Sequence, residues 1–423
     1  MPLDQAISSL TGEFTNSVLP GALQYIIFVA PLLLTAFLLM MAWPLWVRYI
    51  RARNFFSRKY SVLEIMLPKE TNKSPLAMEV FLNAIHNTSD GSNFAQFWKG
   101  ETRPWYSLEL ISIEGQVKFM IWTESARKGG VMSALYSQFP GIEVVERDDY
   151  ARSVHFDPGT MKVWGAEMAF TKADSYPIKT YVDYGLDKDP KEELKVDPLT
   201  PMIEFLGSVG PNQQVWIQYL VRAHKKEQRK PGHLFKKYDA WQQGAEDIIN
   251  KILIRHADTK VSGEPNEQGF TAPPLITPYE NDLVKTIQRG TLKLGFDVGI
   301  RCVYIGQKDF FNNVFGIGGI IGSYKQFNYE HLNGFKPNGD KWHPQLSDPW
   351  QDFKDMRRNR FSREILQAYR RRSYFYPPYE SKPLVMNSEE LATLYHFPGQ
   401  VAGTPTLSRI PSKKSQAPTN LPV

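Results

Sequence analysis

Cysteine is nearly absent from this chain of 423 residues, which contains a single one, Cys302. One cysteine excludes a disulfide framework within the chain and a zinc cage made of several cysteines. Cys302 lies in the apolar run 300–305, where we interpret it as a small buried hydrophobic side chain and not as a reactive thiol.

The spaced motifs of the common enzyme classes are also missing. The sequence contains no P-loop of the form GxxxxGK[ST], no HExxH, no EF-hand loop, no GxSxG elbow and no kinase catalytic loop. The eight histidines lack the close spacing of paired metal ligands. The acid pairs 148–149 and 389–390 are adjacent in sequence, and the second is better interpreted as the acidic first turn of a short helix. We therefore expect no enzyme activity, no metal and no cofactor.

A glycine-rich stretch, FGIGGIIGSY at 315–324, invites comparison with a phosphate cradle. A dinucleotide fingerprint needs a glycine or alanine at the spacing that Ile321 occupies, followed by an acidic residue on the next strand. The favoured interpretation is a helix whose small-residue face packs closely on the sheet or on a partner. Its glycines are Gly316, Gly318, Gly319 and Gly322.

Charged residues are missing from 14–47, and residues 22–46 are almost wholly apolar. At about 1.5 Å per residue, that run forms a helix of about 37 Å, enough to cross a hydrocarbon core of about 30 Å. A cleaved signal peptide is the main alternative, but the segment shows no basic n-region and no small-residue cleavage site. The sequence predicts a transmembrane helix at 22–47.

The charges on either side of the apolar run predict its orientation. The N-terminal tail, 1–21, carries only Asp4 and Glu13, whereas a group of basic residues follows the run. These residues are Arg48, Arg51, Arg53, Arg58 and Lys59. By the positive-inside rule, we expect a single-pass protein of the cell membrane with its N-terminus outside and its bulk in the cytoplasm.

Residues 60–150 alternate predicted strands and helices in the order β-α-β-β-α-β. A Glu-Gly turn at 114–115 joins the two middle strands as a hairpin. The predicted strands are 60–67, 105–113, 116–122 and 142–146, and the predicted helices are 74–86 and 128–139. This order predicts a ferredoxin-like domain, in which two helices cover one antiparallel sheet.

Residues 160–395 repeat a similar order around an insertion at about 224–293. The predicted strands are 162–170, 214–221, 296–305 and a closing strand near 384–386. The predicted helices outside the insertion are 198–206 and a stretch within 310–327. The insertion contains two further predicted helices, 240–256 and 279–292. The predicted fold class is thus α+β, a transmembrane helix followed by two ferredoxin-like domains. The Pro/Ser/Thr/Lys-rich residues 400–423 predict an exposed flexible linker.

Two basic stretches, 222–237 and 354–372, are the candidate sites. The net charge of +6 permits an anionic partner without requiring one. The candidate residues are Arg222, Lys225, Lys226, Arg229 and Lys230 in the first stretch, and Arg357, Arg358, Arg360, Arg370, Arg371 and Arg372 in the second. Aromatic residues at 374–376 follow the second stretch, and arginines beside aromatics suit phosphates and stacked bases. The alternatives are attraction to anionic headgroups or to a partner protein, and a solvated face without a specific role.

Seven strings stand in a fixed order along the chain: MEVFLNAIH (78–86), WYSLELISIEGQVKFMIW (105–122), SALYSQFPGIEVVERDDY (133–150), SYPIKTY (175–181), DPLTPMIEFL (197–206), QQVWIQYLVR (213–222) and EELATLYHFPG (389–399). Together they resemble an uncharacterised family of bacterial membrane proteins that is frequent in candidate-phyla genomes. In many members this region precedes a P-loop ATPase of the type IV secretion coupling-protein or conjugative DNA-translocase kind. No catalytic residue carries over from this resemblance, because those residues lie in the ATPase.

The C-terminal residues 406–422 resemble the segment that leads into the ATPase in those relatives, and Val423 follows them here. The resemblance implies a version without the ATPase, which would act with a separately encoded motor; a truncated or split gene is the alternative. We therefore expect a non-enzymatic, membrane-anchored scaffold or adaptor. Its expected partners are the lipid bilayer, a P-loop ATPase and further copies of the chain. Direct binding of DNA by the basic stretches is the second hypothesis.

Overall fold

The computed structural model describes residues 19–68, 73–188, 196–226, 228–229, 237–258, 277–338 and 349–399. The predicted N-terminal tail up to residue 18 and the predicted linker 400–423 lie outside these ranges. The chain divides into two compact units, one made of residues up to Arg58 together with Asp90–Thr102, the other of Lys59–Ser89 together with the residues from Arg103 onward.

The described part of the first unit is helical, and the second unit contains both helices and strands. The helices are α1 Leu19–Ser57, α2 Leu76–Ile85, α3 Asn93–Trp98, α4 Lys128–Gln138, α5 Tyr150–Ser153, α6 Thr200–Gly207, α7 Ala240–Asp258, α8 Pro278–Thr291, α9 Asn313–Ser323, α10 Met356–Arg370 and α11 Ser388–Leu394. The strands are β1 Tyr60–Met66, β2 Trp105–Ile113, β3 Gln116–Glu124, β4 Glu143–Arg147, β5 Met161–Phe170, β6 Gln213–Ala223, β7 Gln228–Arg229, β8 Lys237–Tyr238, β9 Gly295–Gln307, β10 Phe335–Asn338 and β11 Leu384–Asn387. Single 3-10 turns lie at Ser125–Arg127, Lys325–Phe327, Pro349–Gln351 and Phe353–Asp355.

The first unit contains α1, the one helix among the described residues that is long and apolar enough to cross a membrane. Its part Val29–Ser57 has 29 residues and a mean hydropathy of 1.8, and its apolar window is wholly exposed. At about 1.5 Å per residue, 29 residues extend about 44 Å, more than the hydrocarbon thickness of a bilayer. A signal sequence near an N-terminus also meets this criterion of length and composition.

The second unit is built on one antiparallel sheet of nine strands. Eight of them lie in the order β10-β5-β9-β6-β2-β3-β1-β4. The ninth, β11, also pairs with β9. The hairpin predicted at 114–115 is confirmed, because β2 and β3 pair from Ser107↔Trp122 to Ile113↔Gln116 around that turn. The structure therefore combines helices with an antiparallel sheet, as the alternation of apolar residues predicts.

The sheet contains the same strand arrangement twice. β1 to β4 lie in the order β4-β1-β3-β2, and the four strands β5, β6, β9 and β10 lie in the corresponding order β10-β5-β9-β6. Helices α2 and α4 connect strands of the first half, and α6 and α9 connect strands of the second. The halves meet where β2 pairs with β6, from Trp105↔Arg222 to Ile113↔Gln214.

The strand predicted near 384–386 is present as β11, but it does not close the second half of the sheet. The place beside β5 is taken by β10, in the register Phe335↔Phe170, whereas β11 pairs with β9, in the register Leu384↔Val298. β10 was not predicted from the sequence, because this strand is short and contains Pro337. A proline has no N–H for a ladder and is tolerated in an edge strand, where one side of the backbone has no strand to pair with.

Two apolar layers lie on opposite faces of the sheet, since successive side chains of a strand point in opposite directions. In β2, Leu108 and Leu110 belong to the larger core, which helices α2, α4, α6, α9 and α11 cover. Ile111 belongs to the smaller core, which contains Ile365, Leu366 and Tyr369 of α10. The helix α10 therefore covers the sheet face opposite the five helices of the larger core.

The insertion predicted at about 224–293 contains its two predicted helices, α7 and α8, and the small hairpin of β7 and β8. The helices pack on each other through a separate apolar cluster of Ala245, Ile252, Leu283 and Ile287. A capping box begins α8: the Thr277 side chain accepts from the Glu280 backbone, and the Glu280 carboxylate accepts from the Thr277 N–H.

Candidate functional site

A row of buried polar side chains crosses four adjacent strands under α10. Glu167, Arg301, Gln218 and Glu109 are register partners on β5, β9, β6 and β2. Arg301 donates to Glu167 Oε1 at 2.8 Å and to Gln218 Oε1 at 3.2 Å. Gln218 Nε2 in turn donates to Glu109 Oε1 at 3.0 Å. Burial of these charges is tolerated because each opposes a partner.

Arg372 extends this row from the chain that follows α10. Its Nε donates to Glu109 Oε1 at 3.0 Å, and its Nη1 donates to Asp149 Oδ2 at 2.6 Å. The hydroxyl of Tyr150 donates to the second oxygen of Glu109 at 2.8 Å. Burial lowers the pKa of Arg372, but the carboxylates of Glu109 and Asp149 outweigh it and hold that pKa well above its ordinary value. Arg372 is thus an internal cation and offers no free guanidinium to an outside phosphate.

A second ion-paired cluster contains Arg222 of the first basic stretch. Arg222 Nη2 donates to Asp297 Oδ2 at 2.6 Å, and its guanidinium lies over the ring of Phe375 at 4.5 Å. His224 contacts Asp297 through Nδ1 at 2.6 Å and Asp239 through Nε2 at 3.3 Å. Burial lowers the pKa of His224, but hydrogen bonds to the two carboxylates outweigh it and raise that pKa to about 9.

A third cluster involves the acid pair 389–390 at the start of α11. The Lys293 ammonium lies 2.8 Å from Glu79 Oε1 and 2.9 Å from Glu389 Oε2. Arg289 donates to Asp183 at 3.0 Å and forms an ion pair with Glu389 at 3.0 Å. The interpretation of this pair as an acidic first turn is confirmed. Its burial was not predicted, since adjacent acids in a sequence normally indicate a solvated turn.

Glu390 behaves differently from Glu389. It completes a capping box with Asn387, and it accepts from the backbone N–H of Ile178 at 2.9 Å. Burial raises the pKa of Glu390 to about 8, although the backbone hydrogen bonds oppose that shift. The carboxyl is therefore mostly protonated at neutral pH, inside the larger core.

The second basic stretch forms α10, and the helix divides its arginines by face. The carboxylate of Asp352 accepts from the backbone N–H groups of Arg357 at 2.7 Å and Arg358 at 3.0 Å, which stabilises the helix start. The apolar side is buried, and the opposite side carries exposed arginines. We define this arginine face as Arg357, Arg360, Arg363 and Arg371, all exposed.

The other candidates of this stretch are less available than the arginine face. Arg358 pairs with Asp355 at 3.0 Å, and Arg370 is half-buried with Nη2 donating to the carbonyl of Arg152 at 3.3 Å. Within the arginine face, Arg360 forms an i,i+4 pair with Glu364 at 2.8 Å. An exposed pair of this kind contributes little to stability, so an anionic ligand can compete for Arg360.

The remaining candidates of the first stretch follow β6, the strand that contains Arg222. Lys225 is half-buried and Lys226 is exposed. The side chain of Arg229 and the whole of Lys230 lie outside the described residues. The structure thus brings one arginine of this stretch, Arg222, into a buried cluster.

The glycine-rich stretch is the packed helix that the sequence predicts. An added Cβ at Gly316 would overlap the ring of Tyr304, and one at Gly319 would overlap the ring of Phe205. Gly318 and Gly322 face open space. The stretch therefore serves close packing of α9 on β9 and α6.

Among the residues that the structure describes, Cys302 and the other metal-binding residue types form no ligand set. Cys302 is buried, as predicted, and burial raises the pKa of its thiol to about 12. Within the described part of the chain, no group of three or more His, Cys, Asp or Glu side chains could hold a metal ion.

The buried charges were not found from the sequence, although a signal was present. Glu109, Glu167 and Arg301 each have apolar residues on both sides within their strands. A charge that alternation directs into a covered face must find a partner there. The identity of each partner depends on the strand register, which the sequence alone does not supply.

These features define a protein with an antiparallel sheet, helices on both of its faces and an N-terminal apolar helix. Residues 56–409 match the family described as Domain of unknown function (DUF8128). The chain belongs to this family, since the match covers most of its length. No curated protein matches the chain.

Proposed function

We propose that this chain is a non-enzymatic scaffold, anchored in the cell membrane by α1, that tethers a separately encoded P-loop DNA-translocating ATPase. The system would be of the type IV secretion or conjugation kind. The observation that carries the proposal is the combination of an exposed apolar helix with a sheet whose buried charges are used to pair with one another. Such pairing favours a rigid platform over a set of reactive groups.

We further propose that the sheet consists of two ferredoxin-like units. The repeated order β4-β1-β3-β2 and β10-β5-β9-β6 supports this, because it is the order that two β-α-β-β-α-β units produce. The seam of β2 and β6 joins the units into one platform. The outer strands, β4 and β10, lie at the ends of the sheet and are the surfaces we assign to partner binding, including binding of further copies.

The orientation we propose places the N-terminus outside and the folded bulk in the cytoplasm. Arg48, Arg51 and Arg53 follow the apolar run, and no acid lies between Leu19 and Arg58. The positive-inside rule supports this orientation.

The scaffold is tested by photo-crosslinking of the full-length chain in native membranes. A benzophenone amino acid replaces Glu143 in β4 or Lys336 in β10, and a control chain carries it at the exposed Lys251 of α7. We expect adducts with a P-loop protein from β4 or β10 and not from α7. The purified chain in proteoliposomes should hydrolyse no ATP and should raise the ATP hydrolysis of the captured motor. Hydrolysis by the chain itself, or adducts without a P-loop protein, would contradict the proposal.

A second candidate function is guidance of a nucleic-acid strand along the arginine face. The observation that favours it is the exposure of four arginines on one side of α10 with a single acid, Glu364, among them. Phosphates along a strand suit such a row, because each contact releases condensed counterions.

This candidate is tested by the salt dependence of single-stranded DNA binding to the detergent-solubilised full chain. One variant replaces Arg357, Arg360, Arg363 and Arg371 by alanine; a control of equal charge replaces the exposed Lys162, Lys251, Lys325 and Lys336. If the arginine face guides DNA, the plot of the logarithm of the binding constant against the logarithm of the salt concentration should become less steep in the arginine variant. The magnitude of its slope should decrease by about 3 in that variant and little in the control. Equal losses in both variants would indicate unspecific attraction.

A further inference from the structure

Helix α3, which the sequence analysis did not predict, is held against the C-terminal end of α1 within the first unit. Trp46 Nε1 donates to the carbonyl of Phe97 at 3.2 Å, and Asn54 Nδ2 donates to the carbonyl of Lys99 at 3.0 Å. Gly100 has a φ of +70°, and an added Cβ there would lie 2.5 Å from the carbonyl oxygen of Ile50. Only a glycine therefore permits this close approach.

Aromatic rings from both helices form one exposed surface. We define the aromatic platform as Trp43, Trp46, Tyr49, Phe94 and Trp98. The Trp46 ring centroid lies 5.7 Å from that of Trp98 and 6.3 Å from that of Tyr49, and Phe94 lies 6.5 Å from Trp98. Phe94 and Trp98 are 63% and 53% exposed. Large rings with such exposure are costly in water, so the platform requires a cover.

The position of the platform identifies that cover. It continues the apolar surface of α1, whose side chains from Leu32 to Met41 are exposed, and it lies where this surface ends. Tryptophan and tyrosine prefer this level of a bilayer, since their rings have an apolar body and a polar edge.

The charges next to the platform identify the headgroup. Within the described part of the first unit, the cations are Arg48, Arg51, Arg53, Arg58 and Lys99, and the acids are Asp90 and Glu101. Arg48, Arg53 and Lys99 are exposed. An excess of cations beside an aromatic surface at a membrane boundary complements anionic phospholipid.

We propose that α3 and the aromatic end of α1 form a single interfacial site for anionic phospholipid headgroups. The aromatic platform lies among the upper acyl chains and the glycerol level, while Arg48, Arg53 and Lys99 contact phosphates. This site makes α3 a second membrane contact, so that the bilayer surface is fixed at the level of residues 43–49 of α1. The inference rests on the proposed anchoring of α1 in a membrane.

The test places a nitroxide on a cysteine at position 94 of the full-length chain, with Cys302 buried and protected. A control chain carries the label at Lys336, which is exposed in the second unit. The chains are reconstituted in vesicles of phosphatidylcholine alone or of phosphatidylcholine and phosphatidylglycerol in equal parts. We expect the label at 94 to be relaxed more by oxygen than by an aqueous nickel complex in the anionic vesicles, and the label at 336 to show the reverse.

Two variants of the labelled chain separate the contribution of the basic side chains from that of the packing of α3 on α1. Replacing Arg48, Arg53 and Lys99 by glutamine should shift the label at 94 toward water in anionic vesicles, to the value seen in phosphatidylcholine alone. Gly100→Val should move α3 away from α1 and expose the label in both lipids, while resistance to carbonate extraction stays unchanged. That resistance reports on α1 alone.

Three results would overturn the site. If the label at 94 stays in water although the chain is inserted in the membrane, α3 does not contact the bilayer, whereas the anchoring by α1 remains. If the label at 94 lies at the same depth in both kinds of vesicle, and the glutamine changes do not alter that depth, the site has no preference for anionic headgroups. Extraction of the unmodified chain by carbonate removes the anchor and, with it, the site.

Discussion

Adjacent arginines of this chain have opposite roles, which only their surroundings distinguish. Arg371 is exposed, whereas Arg372 is 1% exposed between Glu109 and Asp149. In the sequence both belong to one run of three arginines and suggest one phosphate-binding surface. A triple alanine change across 370–372 would therefore disturb the fold as well as the surface.

Replacement of Arg372 by alanine should destabilise the chain by about 3–5 kcal/mol, because it leaves the buried carboxylate of Glu109 without its cation and removes one cation from Asp149. Chemical denaturation of the full chain in detergent, followed by tryptophan fluorescence, measures this loss. The matched control Arg371→Ala should change the unfolding free energy by less than about 0.5 kcal/mol. Similar midpoints for the two variants would show that the buried pairs contribute little.

The stability contributed by His224 should depend on pH. Its folded pKa of about 9 exceeds the ordinary value of 6.5, so its contribution is complete below about pH 6.5 and is lost as the pH rises through about 9. His224→Gln should therefore cost roughly 3 kcal/mol at low pH and far less above pH 9. Denaturation curves from pH 6 to 10 measure this difference. His155→Gln, which changes an exposed imidazole, serves as the control, and a pH-independent cost at His224 would contradict the prediction.

At the scale of elements, helices α9 and α10 show how one-sided burial selects residues. In α10 the buried side is apolar and the exposed side is basic. In α9 the contact side contains Gly316 and Gly319, since rings of Tyr304 and Phe205 occupy the space of their side chains. The glycine spacing thus reflects ridge-and-groove packing and not a phosphate site.

Gly319→Ala should destabilise the chain by about 1–3 kcal/mol, because the new methyl group overlaps the Phe205 ring. Gly318→Ala, one residue earlier on the open side, should stabilise it by about 0.5–1 kcal/mol through the lower backbone entropy of the unfolded chain. Thermal unfolding of the two variants checks the opposite signs. A loss of stability in both would show that α9 needs glycine for its backbone and not for its contacts.

At the scale of the whole molecule, the continuous sheet should make its two halves unfold together. Leu108→Ala in β2 removes a fully buried side chain, which should cost about 2–5 kcal/mol and speed amide exchange equally in β3 and in β9. Leu283→Ala changes the separate cluster of α7 and α8 and should speed exchange mainly in the insertion. Hydrogen exchange with mass spectrometry on the full chain measures both patterns. If the amides of β9 stay protected from exchange in the Leu108→Ala variant, the two halves of the sheet unfold independently.

More of the fold than of the candidate site could be predicted from the sequence. The paired strands at 105–113 and 116–124 were found because alternation and a Glu-Gly turn are local signals. The partner of the closing strand was missed, and so were α3 and β10, which have only six and four residues. Among the candidate site residues, the sequence did not separate buried Arg222 and Arg372 from the exposed arginine face.

The sequence by itself determined the apolar helix, the alternation of strands and helices, and the small-residue face of α9, because periodicity and hydropathy depend on neighbours along the chain. The tertiary structure decided the strand order, the seam of β2 and β6, and the partner of each buried charge. Those features join residues far apart in the chain, such as Glu109 and Arg372, and ion pairing in a low-dielectric interior depends on distances that no local pattern contains. The aromatic platform likewise exists only where α3 folds back on α1.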